Sequence, residues 1–172
     1  RADDDSLVVG TGDDTAPGVL PLVTAGRQAI PFFEAADTAL ETFGNHDFDF
    51  GVDATRELVA DAPPTWVTVN VRDERGEPFA VHDGVEPWVV RTVGDERVGF
   101  FGVTDPATDS LNPEAAALSF DDPIPAAREA VAALREAGVD HVVALSHLGQ
   151  GDDDLVRLDG VDLVLGGHVH SR

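Results

Sequence analysis

Apolar residues fall in short runs of four to six, and stretches with helical spacing separate them. The run at residues 141–146 is apolar between its ends, and the run at 161–165 contains one polar residue, Asp162, which is typical of strands covered on both faces; residues 66–71 instead alternate with the period of a strand. The strands are predicted at residues 7–10, 40–43, 66–71, 88–93, 98–103, 141–146 and 161–165. Gly94-Asp95-Glu96-Arg97 separates the fourth strand from the fifth, which predicts a hairpin.

Helices are predicted between several of these strands. One group of apolar residues recurs at near-helical spacing: Ile124, Ala127, Val131 and Leu134. Gly138 follows as a stop signal, and Asp53 can cap a second helix that ends near Ala60. A third helix is predicted over residues 32–39, with Pro31 near its first turn. The pattern predicts an α/β fold with mixed sheets flanked by helices, in a single domain over residues 1–172.

The charge balance excludes several classes of partner. The chain has 11 basic and 33 acidic residues, for a net charge of −22. The chain has no basic stripe that could replace the counterions of a phosphate backbone, so it is not a protein that binds nucleic acid without sequence specificity. Binding to an anionic membrane surface is disfavoured for the same reason. There is no cysteine, which excludes disulfides, thiolate metal sites and cysteine nucleophiles.

The composition also points to a habitat and a compartment. Lysine is absent and the acidic residues are mostly aspartate, a composition that resembles the proteins of extreme halophiles, in which molar salt screens self-repulsion. No run approaches the roughly 20 apolar residues that cross a bilayer. No signal peptide is visible after Arg1, so we expect a cytoplasmic rather than a secreted protein.

Polar residues with ligand chemistry gather where the predicted strands end. They lie at residues 12–14, 44–51, 147 and 166–170, and include four of the six histidines. The carboxyl ends of strands are where sites form in open α/β sheets. His82 and His141 do not fit this placement and are expected to be ordinary loop and strand residues.

His168 and His170 form the sharpest local feature. In extended backbone, residues two apart face the same way, so both rings can reach one metal cluster. Such a pair is often only part of an exposed strand, but Asp13, Asn45 and His147 at other strand ends favour a metal site. Oxygen and imidazole ligands suit Mn, Fe, Co, Ni or Zn. Asp13 can bridge two such ions, an arrangement that favours attack on phosphorus.

His46 and Asp49 form a candidate acid–base pair. If the loop opens into a helical turn, Asp49 can reach a ring nitrogen of His46 and hold its tautomer. His46 can then protonate a leaving alkoxide. The alternative is that Asp47 or Asp49 only caps the following turn, and spacing alone does not choose between the two.

These motifs resemble those of the calcineurin-like metallophosphoesterases, in their 5'-nucleotidase branch. Residues 44–51, Gly-Asn-His-Asp-Phe-Asp-Phe-Gly, resemble the GNH[DE]FDxG motif of that family. Gly12-Asp13, Ser146-His147-Leu148-Gly149 and Gly167-His168-Val169-His170 resemble its other motifs and follow in the family's order. The resemblance covers essentially the whole chain and implies the family's layered α/β sandwich.

The resemblance also implies a role for each residue. Asp13, or Asp14 in a shifted register, would bridge two divalent ions. Mn is the expected metal, and Zn, Fe, Co and Ni are the alternatives. Asn45, His147 and His168 would complete one metal site and His170 the other. His46 would be the catalytic histidine oriented by Asp49, while hydroxide activated by the metals attacks the phosphoryl group. The expected partner is a small phosphate monoester, such as a 5'-nucleotide, or a cyclic phosphodiester; the oligomeric state stays open.

The chain departs from the family at one point. The family's D-x-H motif should precede Leu7, and no D-x-H occurs in the sequence. We expect that its strand lies upstream of Arg1 and that further residues follow Arg172. The alternative is a non-catalytic or mononuclear metal-binding domain that keeps the fold without a complete second site.

Overall fold

A computed structural model describes residues 6–169 of the chain, which form nine strands and six α-helices. The strands are β1 (Val8–Val9), β2 (Thr38–Glu41), β3 (Thr65–Trp66), β4 (Val71–Arg72), β5 (Trp88–Val93), β6 (Glu96–Thr104), β7 (Ser119–Phe120), β8 (His141–His147) and β9 (Leu163–Gly166). The helices are α1 (Pro21–Thr24), α2 (Ala29–Ala36), α3 (Val52–Asp61), α4 (Thr108–Leu111), α5 (Pro123–Glu136) and α6 (Asp152–Val156). The predicted α/β class with mixed sheets and flanking helices is confirmed.

The strands form three sheets. The first has the order β1-β2-β3 and is parallel throughout. The largest has the order β5-β6-β8-β9, in which the predicted β5–β6 hairpin is antiparallel and the other pairs are parallel. A small antiparallel pair joins β4 to β7. Parallel order brings the carboxyl ends of β1 and β2 to one edge, and those of β6, β8 and β9 to another.

Two apolar clusters support these edges. Phe43, Phe48, Trp66 and Phe79 form an aromatic cluster, with the rings of Phe43 and Trp66 stacked 4.8 Å apart. Aromatic pairs at such separations contribute about 1 kcal/mol beyond their buried area. The predicted helix α5 begins where the Asp122 side chain accepts the Ile124 N–H, and it ends before Gly138, whose φ is 75°. Its apolar face packs on β6 and β8.

The prediction of one continuous strand over residues 66–71 is wrong. The Val67 N–H donates to the Glu41 carbonyl in the first sheet, whereas the Val69 N–H donates to the Gly102 carbonyl in the largest sheet. The backbone therefore passes from one sheet towards the other, and β3 and β4 are separate strands. A period-two pattern reports which faces are buried and does not report which strand supplies the hydrogen bonds.

Several predicted boundaries also shift. The second strand lies at Thr38–Glu41 rather than 40–43, and the helix predicted at 32–39 lies at Ala29–Ala36 because Asp37 turns left-handed with φ 58°. Asp53 is not a cap but lies in the first turn of α3, and Gly51 occupies the cap position. Within residues 6–169, no helix combines the length and the apolar character needed to cross a bilayer.

Candidate metal centre and histidine–aspartate pair

Two glycines let separate loops approach each other at the sheet edges. Gly12 follows β1 with φ 88°, and a Cβ atom there would lie 2.4 Å from the Gly44 nitrogen. Gly44 follows β2, and a Cβ atom there would lie 2.2 Å from Asp13 Oδ1 and 2.6 Å from the His147 ring. Only glycine permits this approach, so both positions are part of how the site is built.

Asp13 lies at the centre of the site. Its backbone is left-handed, with φ 64°, a conformation that costs about 1–3 kcal/mol and is often found at functional sites. Its Oδ1 accepts the His46 N–H at 2.8 Å, and its Oδ2 lies 3.1 Å from His147 Nε2. Burial acts to raise the pKa of Asp13, but the hydrogen bond and charge of His147 and the His46 N–H outweigh it, so the pKa lies below the usual 3.8.

His147 ends β8 and is almost completely buried, with 1% of its side chain exposed. Its Nδ1 lies 2.7 Å from the Thr11 carbonyl, which can only accept, so Nδ1 carries the proton. Nε2 is buried and lies 3.1 Å from Asp13 Oδ2, so it pairs with that carboxylate when it is protonated and offers its lone pair to a metal ion when it is neutral. Burial acts to lower the pKa of His147, but the hydrogen bond and charge of Asp13 raise it above 6.5 overall.

His168 follows β9 and completes the group. Asp13, His147 and His168 each offer a ligand atom, and these atoms lie within 4.8 Å of one another. The two imidazole rings are 4.8 Å apart between centroids. His168 Nε2 is 3.5 Å from Asp105 Oδ2 at the end of β6, and 23% of the His168 side chain is exposed.

The residues present fit a divalent metal ion. Asn45 lies between Gly44 and His46, both of which approach Asp13, and its buried Oδ1 has no hydrogen-bond partner among residues 6–169. An unpaired buried oxygen costs about 1–3 kcal/mol. A metal ion bound at this site would give that oxygen a partner, and a set of carboxylate, amide oxygen and imidazole suits a transition metal ion.

The loop after Asn45 forms the helical turn that the pairing of His46 and Asp49 requires. His46–Phe48 is a 3-10 helix, and His46 Nδ1 lies 3.1 Å from each Asp49 carboxylate oxygen. The His46 side chain is 39% exposed, and none of the described residues hydrogen-bonds to its Nε2. The ring therefore has one nitrogen held by Asp49 and one nitrogen that the described part of the chain leaves open to a substrate.

Asp47 has a structural role that differs from capping the following helix. Its buried carboxylate accepts the N–H groups of Asp13 and Gly44 at 2.8 and 2.7 Å, and the Thr15 hydroxyl at 2.6 Å. Burial raises the pKa of Asp47 to about 6, although these hydrogen bonds act to lower it. Asp47 thus joins the loop after β1 to the loop after β2.

Other predicted residues are placed as follows. Asp14, the alternative to Asp13, is exposed and lies outside the metal-binding group. His170 lies outside the described residues, so its expected role stays a prediction. His82 is exposed, and His141 is exposed at the start of β8, 3.8 Å from Glu96.

The sequence reasoning missed three polar residues at the site. Asp105 follows a predicted strand, so the rule used for the other loops could have found it. Asn112 donates to Asp49 Oδ1 at 3.0 Å from 63 residues along the chain, and no local signal indicates it. Glu41 is a charged residue at the end of an apolar strand, and its Oε1 accepts the Gly12 N–H at 3.1 Å. Burial, with the charge of nearby Asp14, raises the pKa of Glu41 well above its usual value.

The chain is similar to known phosphoesterases. It is 31% identical to human 5'-nucleotidase over 174 residues, which cover 99% of this chain and 30% of the relative. The structure of a 5'-nucleotidase precursor from Thermus thermophilus superposes with a TM-score of 0.86 and 34% identity, over 98% of this chain and 33% of that one. No family model matches the chain.

A second solved structure supports the fold. The calcineurin-like phosphoesterase YfkN from Bacillus subtilis superposes with a TM-score of 0.80 and 23% identity, over 96% of this chain and 58% of that one. The chain spans about a third of the length of the 5'-nucleotidases it matches. The similarity therefore concerns one portion of those longer proteins.

Proposed function

Because this chain is related to the 5'-nucleotidase branch of the calcineurin-like phosphoesterases, we propose that it is a metal-dependent phosphoesterase. The proposed substrate is a small phosphate monoester, such as a 5'-nucleotide, or a cyclic phosphodiester. We propose Mn²⁺ as the resident ion, with Zn²⁺, Fe²⁺, Co²⁺ or Ni²⁺ as alternatives, since the donor set accepts each of them.

One observation carries this proposal. The ligand atoms of Asp13, His147 and His168 lie within 4.8 Å of one another, although both histidines are more than 130 residues from Asp13 in the sequence. His46, which has a free ring nitrogen, is attached to this group because its N–H donates to Asp13 Oδ1 at 2.8 Å. A metal-binding group beside a proton donor is what hydrolysis of a phosphate ester requires.

Each residue has a definable task in this chemistry. Asp13, Asn45, His147 and His168 would hold the ion, with His170 as a further proposed ligand. A divalent ion in this position supplies a Lewis acid for the phosphoryl oxygens and lowers the pKa of an attacking water. Protonated His46 donates its Nε2 proton to the leaving oxygen, while the Asp49 carboxylate keeps Nδ1–H in place and stabilises the imidazolium.

The overall charge of −22 would repel a phosphate ester, but two features oppose this repulsion. A bound divalent ion reverses the sign of the local potential. High salt also reduces the Debye length to about 3 Å at 1 M, so distant carboxylates are screened. We therefore propose that the protein works on an anionic substrate at high ionic strength.

A mononuclear or non-catalytic metal-binding domain is the second candidate. Residues 6–169 contain one group of three metal-binding side chains, which favours this alternative over a site with two ions. The His46–Asp49 pair favours catalysis, because a site that only binds metal has no use for a proton donor beside it.

The test compares hydrolysis of a chromogenic phosphomonoester, a phosphodiester and a 5'-nucleotide in molar KCl with Mn²⁺. His46→Ala is expected to lower kcat by about a hundredfold or more while metal binding persists, since general acid catalysis contributes about 10²–10⁴-fold. His147→Ala should abolish activity and lower the affinity for Mn²⁺ by more than about a hundredfold. His141→Ala is the matched surface control and should change neither.

Two outcomes decide between the candidates. Metal binding without hydrolysis of any of these esters would favour the non-catalytic domain. Activity that persists in both His46→Ala and His147→Ala would contradict the proposed mechanism. The number of ions bound per chain, measured by elemental analysis after dialysis, separates a mononuclear from a dinuclear site.

A further inference from the structure

Asn112 is a buried polar residue that touches the candidate site from a distant part of the chain. It ends the short helix α4, and 6% of it is exposed. Its Nδ2 donates to the Asn45 carbonyl at 2.7 Å and to Asp49 Oδ1 at 3.0 Å. A single amide group therefore contacts both the segment that carries a candidate metal ligand and the carboxylate that holds His46.

The hydrogen bonds of Asn112 determine how its amide is oriented. Its Oδ1 accepts the Glu114 N–H at 3.0 Å, so the oxygen faces the following 3-10 helix, Pro113–Ala115. Both Nδ2 hydrogens then face acceptors, the Asn45 carbonyl and the Asp49 carboxylate. Because a flipped amide would bring oxygen against two acceptors, only one orientation satisfies every group.

We propose that Asn112 is a positioning residue that orients Asp49, and through it the ring of His46, for proton transfer to the leaving group. The inference rests on the proposed function, since it assigns Asn112 a part in that reaction. Asp49 Oδ1 receives Nδ2–H from one side while both carboxylate oxygens accept from His46 Nδ1 on the other. The carboxylate is thus held between two donors, which limits its rotation.

The geometry also explains why the side chain is an amide. A carboxylate in place of Asn112 would keep an oxygen for the Glu114 N–H but would face Asp49 with a second negative oxygen. Alanine would leave the Asn45 carbonyl and Asp49 without this donor. Misplacement of a reacting group by about 1 Å can cost roughly a hundredfold in rate.

The first measurement is the kinetics of Asn112→Asp and Asn112→Ala. Both are expected to lower kcat by about tenfold to a hundredfold with little change in KM, because Asn112 acts on proton transfer rather than on substrate binding. Asn70→Asp is the matched control. Asn70 is also buried, donates Nδ2 to the Thr104 and Asp121 carbonyls and accepts the Thr104 N–H, but it does not contact Asp49.

The control separates positioning from stability. Asn70→Asp should lower the free energy of unfolding as much as Asn112→Asp does, yet keep the wild-type kcat per folded molecule. If the two variants lose kcat in proportion to their lost stability, the proposal is overturned. Asn112→Ser, which is smaller and uncharged, provides the same comparison if Asn112→Asp does not fold.

A double-mutant cycle tests whether Asn112 acts through Asp49. In the Asp49→Ala background, Asn112→Asp should lower kcat by less than about twofold, because the group that it orients is gone. An equal fold-loss in both backgrounds would overturn the proposal.

A spectroscopic measurement does not depend on activity. In wild-type protein, the ¹⁵N shifts of the His46 ring should report a single tautomer with the proton on Nδ1, and in Asn112→Asp this state should be mixed. Unchanged His46 shifts would contradict positioning. If His46→Ala keeps full activity, the proposed function fails, while the shifts still decide whether Asn112 orients Asp49 and His46.

Discussion

The two halves of the candidate metal centre are held in different ways. Asp13, Gly44 and Asn45 lie in loops that the buried Asp47 carboxylate joins, and His147 is fixed by the Thr11 carbonyl at 2.7 Å. His168, on the other side, follows β9, an edge strand of the largest sheet, and its described polar contact is Asp105 at 3.5 Å. The first half is held by short hydrogen bonds, and the second by a longer contact between an imidazole and a carboxylate.

This difference indicates where the site is organised before a metal binds. Hydrogen bonds to a buried carboxylate are short and strong, whereas a partly exposed side-chain contact at 3.5 Å contributes less than about 1 kcal/mol even where both groups are charged. We expect the loops around Asp13 and His147 to keep their geometry without an ion. The position of His168 should depend more on the ion itself.

The strongest test of this comparison removes Asp47. Asp47→Ala would leave the N–H groups of Asp13 and Gly44 and the Thr15 hydroxyl without their acceptor. We expect a loss of roughly 3–5 kcal/mol in the free energy of unfolding, measured by denaturant titration, since each unpaired buried group costs about 1–3 kcal/mol. Asp105→Ala is the control from the second half and should cost about 1 kcal/mol, from loss of its bond to the Ala107 N–H. Equal losses would contradict the comparison.

A second test compares the two histidines as ligands. His147→Ala should lower Mn²⁺ affinity by more than about a hundredfold, because it removes an oriented and buried ligand. His168→Ala should lower it by about tenfold, because the ring that it removes is less firmly oriented. Isothermal titration calorimetry in molar KCl measures both, with His141→Ala as the unaffected control. A larger loss of Mn²⁺ affinity in His168→Ala than in His147→Ala would contradict the conclusion that the half around His147 is the one organised before the ion binds.

The smallest expected effect is a pH dependence of stability. The pKa of His147 is raised above 6.5 in the folded protein. Its contribution to the free energy of unfolding is therefore fully present below pH 6.5 and is lost as the pH rises through the pKa of the folded state. The pKa of Asp13 is lowered, so its contribution is present above 3.8 and is lost as pH falls through the folded pKa. In EDTA, the stabilisation from this pair should therefore be largest between 3.8 and 6.5.

Metal should reverse the upper part of this dependence. An ion binds neutral imidazole, so stabilisation by Mn²⁺ should grow as pH rises through the His147 pKa. Thermal unfolding at several pH values, in EDTA and in Mn²⁺, measures both trends, and His147→Gln should remove both. Stability that rises with pH in EDTA for wild type, relative to His147→Gln, would contradict the pairing of His147 with Asp13.

The part of the site that the sequence predicted well is local. Residues 44–51 place His46 and Asp49 three apart, and a single turn of 3-10 helix is enough to pair them. The long helix α5 and the β5–β6 hairpin follow from spacing and turn residues within a few positions. Such features depend on interactions between near neighbours in the chain, which a pattern records directly.

The parts that were missed depend on distant segments. The interval 66–71 alternates like one strand but hydrogen-bonds to two sheets, because Val67 and Val69 meet different neighbours. Asn112 has no motif, and its role becomes visible only where α4 approaches Asp49. One of the two hypotheses for this segment made Asp47 or Asp49 a cap of the following turn. The structure shows instead that the N–H groups that donate to Asp47 come from Asp13, in the loop after β1, and from Gly44, in its own loop.

The sequence by itself determined the chemical types of the candidate ligands and the strand ends that carry them, because strand pattern and motif order are properties of the chain. The tertiary structure alone decided which ligand atoms meet, which of them are left unpaired, and which half of the site is rigid. Those properties arise from hydrogen bonds and burial between segments that are far apart in sequence, and their energies depend on distances of a few tenths of an ångström.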